Sequence, residues 1–334
     1  MSDETVPLLE VRNLVKHYRE ASGARVRALD DVSLTVRRGE VVGIVGESGC
    51  GKTTLGRTIM RLVEPTSGEI RVDGVDFASL SGAKLKAARR RVQMVFQDPF
   101  GSLNPRHKVG VIIAEPLVVH GVPGAKARVA ELLDLVGLPG EAAGRYPHEF
   151  SGGQRQRIAI ARALALDPAL IIADEPVSAL DVSIQSQIIN LIGSLRARLG
   201  LSMIFISHDL SVVRHVSDRV GVMYFGKLVE LAPTSALFER PRHPYTSALL
   251  ASVPRPVKDV VREKRAGAGL VAAAPGEIPD PANPPPGCAY AARCPLAEPR
   301  CREAVPPLAA VETGHEAACW RSGEVAAREP ITSA

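Results

Sequence analysis

The sequence lacks long apolar runs, a basic leader and an appreciable content of aromatic residues, and each absence excludes a class of protein. No stretch approaches the roughly 18 uninterrupted apolar residues that would span a bilayer. The start, MSDETVPLLEVRN, has no basic segment followed by the apolar run of a signal peptide. Aromatic residues make up only 4% of the chain, which is poor material for stacking single-stranded nucleic acid. We therefore expect a protein that is neither exported nor membrane-spanning on its own, and that does not bind nucleic acid.

Cysteine is scarce as well. One of the five cysteines is Cys50, and the other four fall between Cys288 and Cys319. They are too few and too late in the chain for a disulfide scaffold, and in a protein that is not exported the thiols stay reduced. The chain must therefore rely on a hydrophobic core, and 46% hydrophobic against 23% charged residues suffices for one. A net charge of +5 permits an anionic partner without naming it.

Residues 8 to about 240 are predicted to form one continuous α/β unit. Short β-branched runs are typical of buried parallel strands, and alternating segments of half-exposed antiparallel strands. The runs of the first kind are Val41–Val45, Leu170–Ala173 and Met203–Ile206. The segments of the second kind are Leu9–Arg12, Val32–Val36 and Glu69–Val72. From about 102 to 166 the pattern is helical, and the amphipathic run Val129–Val136 stops at Gly137.

The composition changes from about Pro241. Residues 275–307 hold ten of the 26 prolines, which favours an extended, loop-rich appendage over a second helical core. The stretch 258–274 is charged and then rich in Gly and Ala, and is predicted to be a linker.

A glycine-rich segment follows the first buried strand and fits the pattern G-x-x-x-x-G-K-[ST]. Its glycines let backbone N–H groups curl around phosphate oxygens, and the predicted next helix presents its positive N-terminal end. Lys52 is expected to reach the β- and γ-phosphates, and the Thr53 hydroxyl to bind Mg²⁺. The flanking strand and helix disfavour a chance match, and Cys50 is expected to be a small side chain at a tight position. The residues predicted to bind nucleotide here are Gly46, Glu47, Ser48, Gly49, Cys50, Gly51, Lys52, Thr53 and Thr54.

Two acidic residues follow the predicted strand at Leu170–Ala173. Asp174 is placed to hold Mg²⁺ through water, and Glu175 can polarise an attacking water. Ordinary solvated acids are the alternative, which the phosphate loop in the same chain disfavours. His208 follows another apolar strand. A lone histidine there is more often structural, but beside the other motifs we expect it to contact the γ-phosphate.

A second anion-binding helix start lies about a hundred residues after Lys52. There Ser151-Gly152-Gly153-Gln154 opens a helix, whose N-terminal end attracts negative charge. A single chain need not bring both ends onto one nucleotide, whereas two chains facing head to tail would. Together these motifs resemble those of the ATP-binding subunits of ABC transporters, and the resemblance spans nearly the whole chain.

This resemblance implies both a fold and a set of roles. The fold is an α/β P-loop NTPase, with a RecA-like mixed-sheet core, an antiparallel β subdomain, an α-helical subdomain and a Pro/Cys-rich C-terminal extension. The nucleotide-binding domain would span 1–240, its helical subdomain about 98–166, and the extension 241–334. The motifs assigned by resemblance are the Walker A loop (46–53), the Q-loop glutamine and Mg²⁺ ligand (Gln97), the signature (Ser151 to Gln154), Walker B (Asp174), the catalytic glutamate (Glu175), the D-loop (178–181), the switch histidine (His208) and the adenine-stacking aromatic (Tyr18). The residues expected to be catalytic are Lys52, Gln97, Glu175 and His208. For Tyr18, an aromatic on a strand face without such a role is the alternative.

Finer features resemble the oligopeptide and dipeptide importers. These are Val95–Arg106, Tyr146–Phe150, and His243–Thr246 with the tail that follows, and the wording of Gly101–Arg106 resembles the F-type ATPase subunit. The resemblance implies ATP and Mg²⁺ as ligands, two permease subunits, an extracytoplasmic solute-binding protein and a second ATPase, either a different chain in a heterodimer or a copy. It also implies a peripheral position on the cytoplasmic face of the cell (inner) membrane. Peptides are the expected cargo, with nickel, glutathione or sugars, or an exporter, as alternatives.

The late cysteines are Cys288, Cys294, Cys301 and Cys319. A structural zinc usually shows C-x₂₋₄-C pairs, and none occurs here. Four thiolates can instead hold an iron–sulfur cluster. Their spacing and Arg293-Cys294-Pro295 resemble the cluster-binding extension of peptide-importer ATPases, so we expect [4Fe–4S], with zinc or uncomplexed thiols as alternatives. His315 could substitute as a ligand but is expected to be a solvated side chain.

Overall fold

The computed structural model describes residues 6–19, 23, 25–252, 279–280 and 283–325; the linker predicted at 258–274 lies outside them. Its strands are β1 (Leu9–Arg19), β2 (Arg25–Val36), β3 (Val41–Val45), β4 (Ser67–Val72), β5 (Val75–Asp76), β6 (Val92–Val95), β7 (Leu170–Asp174), β8 (Ser202–Ile206), β9 (Arg219–Tyr224), β10 (Lys227–Pro233), β11 (Ala309–Glu312) and β12 (His315–Ala317). Its α-helices are α1 (Lys52–Ile59), α2 (Gly82–Ala88), α3 (Pro99–Ser102), α4 (Val109–Val119), α5 (Ala125–Leu135), α6 (Gly152–Leu164), α7 (Val182–Leu199), α8 (Leu210–Val216), α9 (Thr234–Glu239), α10 (Pro244–Ala251) and α11 (Pro299–Glu303). Among the described residues, no helix has the length and apolar character needed to cross a membrane.

The larger of two sheets has the strand order β11-β12-β10-β9-β3-β8-β7-β6. Its strands from β9 to β6 are parallel, and β10, β12 and β11 continue it in antiparallel fashion. The three predicted buried strands are confirmed as β3, β7 and β8. Because parallel strands end at the same edge, the segments that follow β3, β7 and β8 meet there.

The smaller sheet has the order β2-β1-β4-β5, and all its pairs are antiparallel, as predicted. It packs on the larger sheet with α1 in the same apolar cluster, which includes Val42 and Ile44 of β3. Val41 and Val45 instead contribute to a second cluster, formed with the helices on the other face. Successive strand residues face opposite sides. Burial of both faces therefore explains why β3 has no polar position.

The segment between β6 and β7 is helical, which confirms the predicted pattern, and its helices are α3 to α6. The helix predicted at Val129–Val136 is α5, which starts a turn earlier and ends at Leu135. Gly137 follows with φ of 69°, a left-handed conformation that glycine adopts at low cost. The chain then returns through α6 to β7.

The C-terminal part contains more regular structure than the predicted loop-rich appendage. Strands β11 and β12 form a hairpin, and β12 pairs with β10, so the appendage extends the larger sheet. The expectation that His315 is solvated is wrong: this residue is 1% exposed. Its Nε2 lies 2.8 Å from Oε1 of Glu230, which is also buried. Pairing with β10 carries His315 into the interior.

Candidate nucleotide site

The phosphate loop connects β3 to α1 through positions where only glycine fits. Gly46 and Gly51 have φ of 152° and 106°. A Cβ atom would lie 2.2 Å from the Met223 carbonyl oxygen at Gly46, and 2.3 Å from the Ala28 carbonyl oxygen at Gly51. The loop therefore lies against the end of β9 and against β2. Its backbone can curl so that its N–H groups, together with the N-terminal end of α1, surround a phosphate.

Lys52 is folded back onto this loop. Its Nζ donates to the carbonyl oxygens of Gly46 (2.7 Å) and Glu47 (2.9 Å), and the side chain is buried. Cys50 is buried in the same turn, and burial raises the pKa of its thiol. A protonated, buried thiol packs as a small apolar group and is not a nucleophile.

Thr53 and Asp174 bring the start of α1 to the end of β7. The Thr53 hydroxyl donates to Oδ1 of Asp174 at 3.0 Å. Burial raises the pKa of the Asp174 carboxyl, and the hydrogen bond from Thr53 opposes that effect. A hydroxyl and a carboxylate beside a phosphate loop are the hard oxygen donors that Mg²⁺ prefers. These two residues therefore fit a magnesium ion.

Glu175 has an unusual backbone and two polar neighbours. Its φ is 46°, in the left-handed region, and its N–H donates to the Ile206 carbonyl oxygen of β8 at 2.9 Å. Its Oε2 accepts a hydrogen bond from Gln97 Nε2 at 3.0 Å, and His208 Nδ1 lies 3.1 Å from the same oxygen. The structure thus brings together three of the predicted catalytic residues. Strain of this kind concentrates at functional sites.

A cleft of about 260 Å³ lies between the phosphate loop and Glu175. The predicted residues that line it are Ser48, Gly49, Gly51, Lys52, Thr53, Thr54, Gln97 and Glu175. The predicted residues that do not line it, among those the structure describes, are Gly46, Glu47, Cys50, Asp174, His208, Tyr18 and the segment from Ser151 to Gln154. Tyr18 lies on β1, 39% exposed, with Lys16 Nζ 4.9 Å from its ring centroid.

The second anion-binding helix start is intact but separate. The Ser151 hydroxyl accepts a hydrogen bond from the Gln154 N–H at 3.4 Å, and Gln154 Oε1 accepts one from the Ser151 N–H at 3.0 Å. This reciprocal pair is a capping box at the start of α6. A Cβ atom on Gly153 would lie 2.5 Å from the Ile184 side chain, so α6 and α7 pack closely there. Ser151 is exposed and available to a group outside the chain.

Sequence reasoning missed two residues that contact the phosphate loop. The Glu47 N–H donates to the Tyr245 hydroxyl at 2.9 Å, and Arg293 Nη1 lies 3.4 Å from the Glu47 carboxylate. Both lie far along the sequence, Tyr245 on α10 and Arg293 just before Cys294. No local pattern indicates such contacts, although both residues lie in segments whose amino-acid sequence resembles that of peptide importers.

The four late cysteines line one small cavity of about 20 Å³ in the C-terminal part. Burial raises the pKa of Cys288 to about 11 and that of Cys319 to about 12, so these thiols are protonated at neutral pH. In the part of the chain that the structure describes, no three His, Cys, Asp or Glu side chains are arranged to hold a metal ion. The observed arrangement therefore does not support the predicted iron–sulfur cluster or the zinc alternative.

Comparison with known proteins shows that two known families match parts of this chain. The family described as "ABC transporter" matches residues 29–178, and the one described as "Oligopeptide/dipeptide transporter, C-terminal region" matches residues 229–301. A putative peptide import ATP-binding protein of Brucella ovis is 53% identical over 319 residues, which cover 94% of this chain and 98% of that protein. The oligopeptide transport ATP-binding protein AppF of Bacillus subtilis is 53% identical over 322 residues, which cover 93% of this chain and 96% of that protein.

A solved structure shares the fold. It is described as the dimeric, post-hydrolysis state of the ATP-binding cassette MJ0796 bound to ADP and Pi, and it matches with a TM-score of 0.62 at 31% identity. The match covers 68% of this chain and 98% of that one. Together with the near-complete alignment to curated relatives, this likeness extends from the sequence to the three-dimensional arrangement of the cassette. The chain belongs to the ABC transporter family, as one of its ATP-binding subunits.

Proposed function

We propose that this chain is the ATP-hydrolysing subunit of an importer that carries di- and oligopeptides across the cytoplasmic membrane. The observation that carries the proposal is the 53% identity, over 98% of their length, to proteins described as peptide import ATP-binding proteins. The similarity continues past the nucleotide cleft into residues 229–301, a region described for oligopeptide and dipeptide transporters. The amino-acid sequence of Gly101–Arg106 further favours the F-type ATPase subunit.

In this proposal the ATP phosphates lie on the phosphate loop. In the structure the Lys52 ammonium donates to carbonyl oxygens of the loop. When ATP binds, we propose that it turns to the β- and γ-phosphates, whose negative charge a flexible lysine can contact. Thr53 and Asp174 hold Mg²⁺, with Gln97 as the third predicted ligand. When bound, that ion neutralises charge on the phosphates.

Hydrolysis is assigned to the residues around Glu175. Its carboxylate positions the attacking water, since Glu175 is the acidic residue that lines the cleft and its Oε2 is oriented by Gln97 and His208. His208 is 60% exposed, which leaves it able to contact a γ-phosphate when the cleft is filled. Water, phosphate and base are thereby held in one place, which is the main contribution a protein makes to phosphoryl transfer.

The other predicted residues are assigned to the contact between two ATPase subunits or to the adenine ring of ATP. Because the segment from Ser151 to Gln154 lies outside the cleft of its own chain, we propose that it caps the nucleotide of a second ATPase subunit. Each nucleotide then bridges two chains, so that binding favours a closed pair and hydrolysis releases it. The solved relative described as dimeric supports such a pair. Tyr18 is proposed to stack on adenine.

The remaining partners follow from the importer class. We propose two permease subunits, an extracytoplasmic solute-binding protein and a second ATPase, and a peripheral position on the cytoplasmic face of the membrane. Whether the second ATPase is a different chain or a copy is decided by the composition of the purified assembly.

The four-cysteine segment has its own test. The predicted [4Fe–4S] cluster requires the four thiols to lose their protons and move into ligating positions around the cavity that they line. Anaerobic purification followed by iron, sulfide and zinc determination decides the point. Stoichiometric iron and sulfide would support the cluster, zinc alone would support the alternative, and neither would leave uncomplexed thiols.

The experiment that tests the proposed function is purification of the tagged chain from native membranes in mild detergent, with its companions identified by mass. Two permeases, a second ATPase and a solute-binding protein are expected, with peptides bound to the last of these. A non-peptide ligand such as nickel, glutathione or a sugar would replace the cargo but keep the importer. Permeases without a binding protein would support an exporter instead.

A further inference from the structure

Glu47, the second residue of the phosphate loop, is held by contacts on three sides. Its N–H donates to the Tyr245 hydroxyl at 2.9 Å, and its carboxylate oxygens lie 3.4 and 3.5 Å from Arg293 Nη1. Its carbonyl oxygen accepts a hydrogen bond from Lys52 Nζ at 2.9 Å. One residue therefore links the lysine predicted to bind phosphate to two side chains from the C-terminal part of the chain.

Tyr245 belongs to a buried cluster of three tyrosines, and Arg293 packs against that cluster. The ring centroids of Tyr224 and Tyr245 are 4.5 Å apart, and Tyr290 lies 5.5 Å from each. All three tyrosines are buried, and the Arg293 guanidinium lies 5.7 Å from the centroid of the Tyr290 ring. Tilted and edge-to-face contacts between aromatic rings are favourable and depend on their geometry. The donor and acceptor that reach Glu47 are thus fixed before any ligand arrives.

The strand that carries Tyr224 contacts the loop from a second direction. Tyr224 ends β9, and its neighbour Met223 has the carbonyl oxygen that leaves no room for a Cβ atom on Gly46. The start of the loop is therefore packed against β9, while Glu47, the next residue, is bound by Tyr245 and Arg293. The phosphate loop is therefore in direct contact with the C-terminal part of the chain.

We propose that Arg293 and Tyr245 are positioning residues for nucleotide binding, which act by fixing Glu47 and with it the phosphate loop and Lys52. The inference rests on the proposed function, because it takes ATP as the ligand of the loop. Without these contacts the loop samples other conformations, and binding must then also order it. The Arg293 side chain is 17% exposed and that of Glu47 is 35% exposed, so the pair is only partly screened by solvent.

The test compares Arg293→Ala with a matched variant in the full-length chain. Arg300→Ala is the control, because Arg300 also pairs with a glutamate, Glu298, and lies 5.0 Å from the centroid of an aromatic ring, Trp320, but does not contact the loop. Titration with a fluorescent ATP analogue is expected to give a Kd about fivefold higher for Arg293→Ala than for Arg300→Ala or the unchanged chain.

A double-mutant cycle shows whether Arg293 acts through Glu47. In a Glu47→Gln background, Arg293→Ala is expected to change the Kd by less than about twofold, since its partner charge is already gone. A merely structural role for Arg293 would give the same loss in both backgrounds. Tyr245→Phe removes only the hydroxyl that accepts from Glu47, and it tests the inference if Arg293→Ala does not fold; a Kd raised about threefold is expected.

The outcomes separate this inference from the function on which it rests. If the unchanged chain binds no ATP analogue, the proposed function is wrong. If it binds, and Arg293→Ala and Tyr245→Phe bind as tightly as Arg300→Ala, the positioning role is wrong while the proposed function stands. An Arg293→Ala effect of equal size with Glu47 and with Gln at position 47 also overturns it.

Discussion

Glu175 combines a strained backbone with a doubly contacted carboxylate. A non-glycine residue in a sparsely populated backbone region costs on the order of 1–3 kcal/mol, and it persists only where the surroundings fix it. Here the N–H of Glu175 is bonded to the end of β8, while Gln97 and His208 lie against Oε2. With this left-handed backbone the chain leaves β7 after Asp174, and the Glu175 side chain lines the cleft.

Replacing this carboxylate should separate ATP binding from hydrolysis. Glu175→Gln keeps the size of the side chain but removes the base, so the rate of phosphate release should fall by about 10²–10⁴-fold. The Kd for ATP should change little, since the phosphate loop is untouched. Glu141→Gln, an exposed residue outside the cleft, is the control. Normal turnover in Glu175→Gln would show that another group activates the water.

A buried histidine makes stability depend on pH. His243 caps α10, where its Nδ1 accepts from the Tyr245 N–H at 3.1 Å, and burial lowers the pKa of His243 to about 3. Below about pH 6.5 the unfolded chain binds a proton that the folded chain refuses. The free energy of unfolding should therefore fall by up to about 1.4 kcal/mol per pH unit as pH drops from about 6.5 towards 3.

The His243→Asn variant isolates this effect, because asparagine keeps a capping acceptor and does not titrate. Urea unfolding at pH 7 and pH 5 should show a loss about 2 kcal/mol larger for the unchanged chain than for the variant. The cavity left by the smaller side chain lowers stability at both pH values and cancels in this comparison. An equal pH dependence in the two proteins would mean that His243 is protonated in the folded chain.

The hairpin of β11 and β12 depends on a buried polar contact. Glu230 of β10 accepts hydrogen bonds from the backbone N–H groups of Arg242 and His243, and His315 of β12 lies 2.8 Å from its Oε1. His315→Ala would leave the buried carboxylate with one partner fewer. The free energy of unfolding should fall by about 2–4 kcal/mol, measured by urea titration.

Two further variants give that prediction its controls. His215→Ala changes an exposed histidine on α8 and should cost less than about 0.5 kcal/mol. His315→Gln retains a donor and should lose less stability than His315→Ala. If both His315 variants unfold like the unchanged chain, the hairpin is not held to the sheet by this contact.

The elements that the sequence predicts well are those with a complete local pattern. β3 is apolar throughout, and β7 and β8 are apolar except for Asp174 and Ser202, because both faces of the sheet are covered. The glycines between β3 and α1 match a known loop. β12 has only three residues, too few for an alternation to be seen, so its pairing with β10 and the burial of His315 were missed. The contact between Glu47 and Arg293 joins residues 246 positions apart, which no local pattern encodes.

The two features predicted to bind phosphate lie in separate parts of the structure. The phosphate loop lies at the edge where β3 ends, while Ser151 begins α6 and does not line the same cleft. A helix N-terminus favours an anion through its partial charge and its free N–H groups. The N-terminal end of α6 does not line the cleft of its own chain, which is consistent with the proposal that it contacts the nucleotide of a second subunit.

This separation predicts a split between binding and turnover. Ser151→Arg places a bulky side chain at the start of α6 but leaves the cleft unchanged, so the isolated chain should bind ATP with a Kd within about twofold of normal. The assembled transporter, in which we propose that α6 contacts the partner's nucleotide, should lose ATP turnover by at least about tenfold. Lys52→Ala is the comparison, because it removes the lysine predicted to bind phosphate and should weaken binding in the isolated chain itself. Equal weakening of isolated-chain binding by Ser151→Arg and Lys52→Ala would mean that α6 serves the cleft of its own chain.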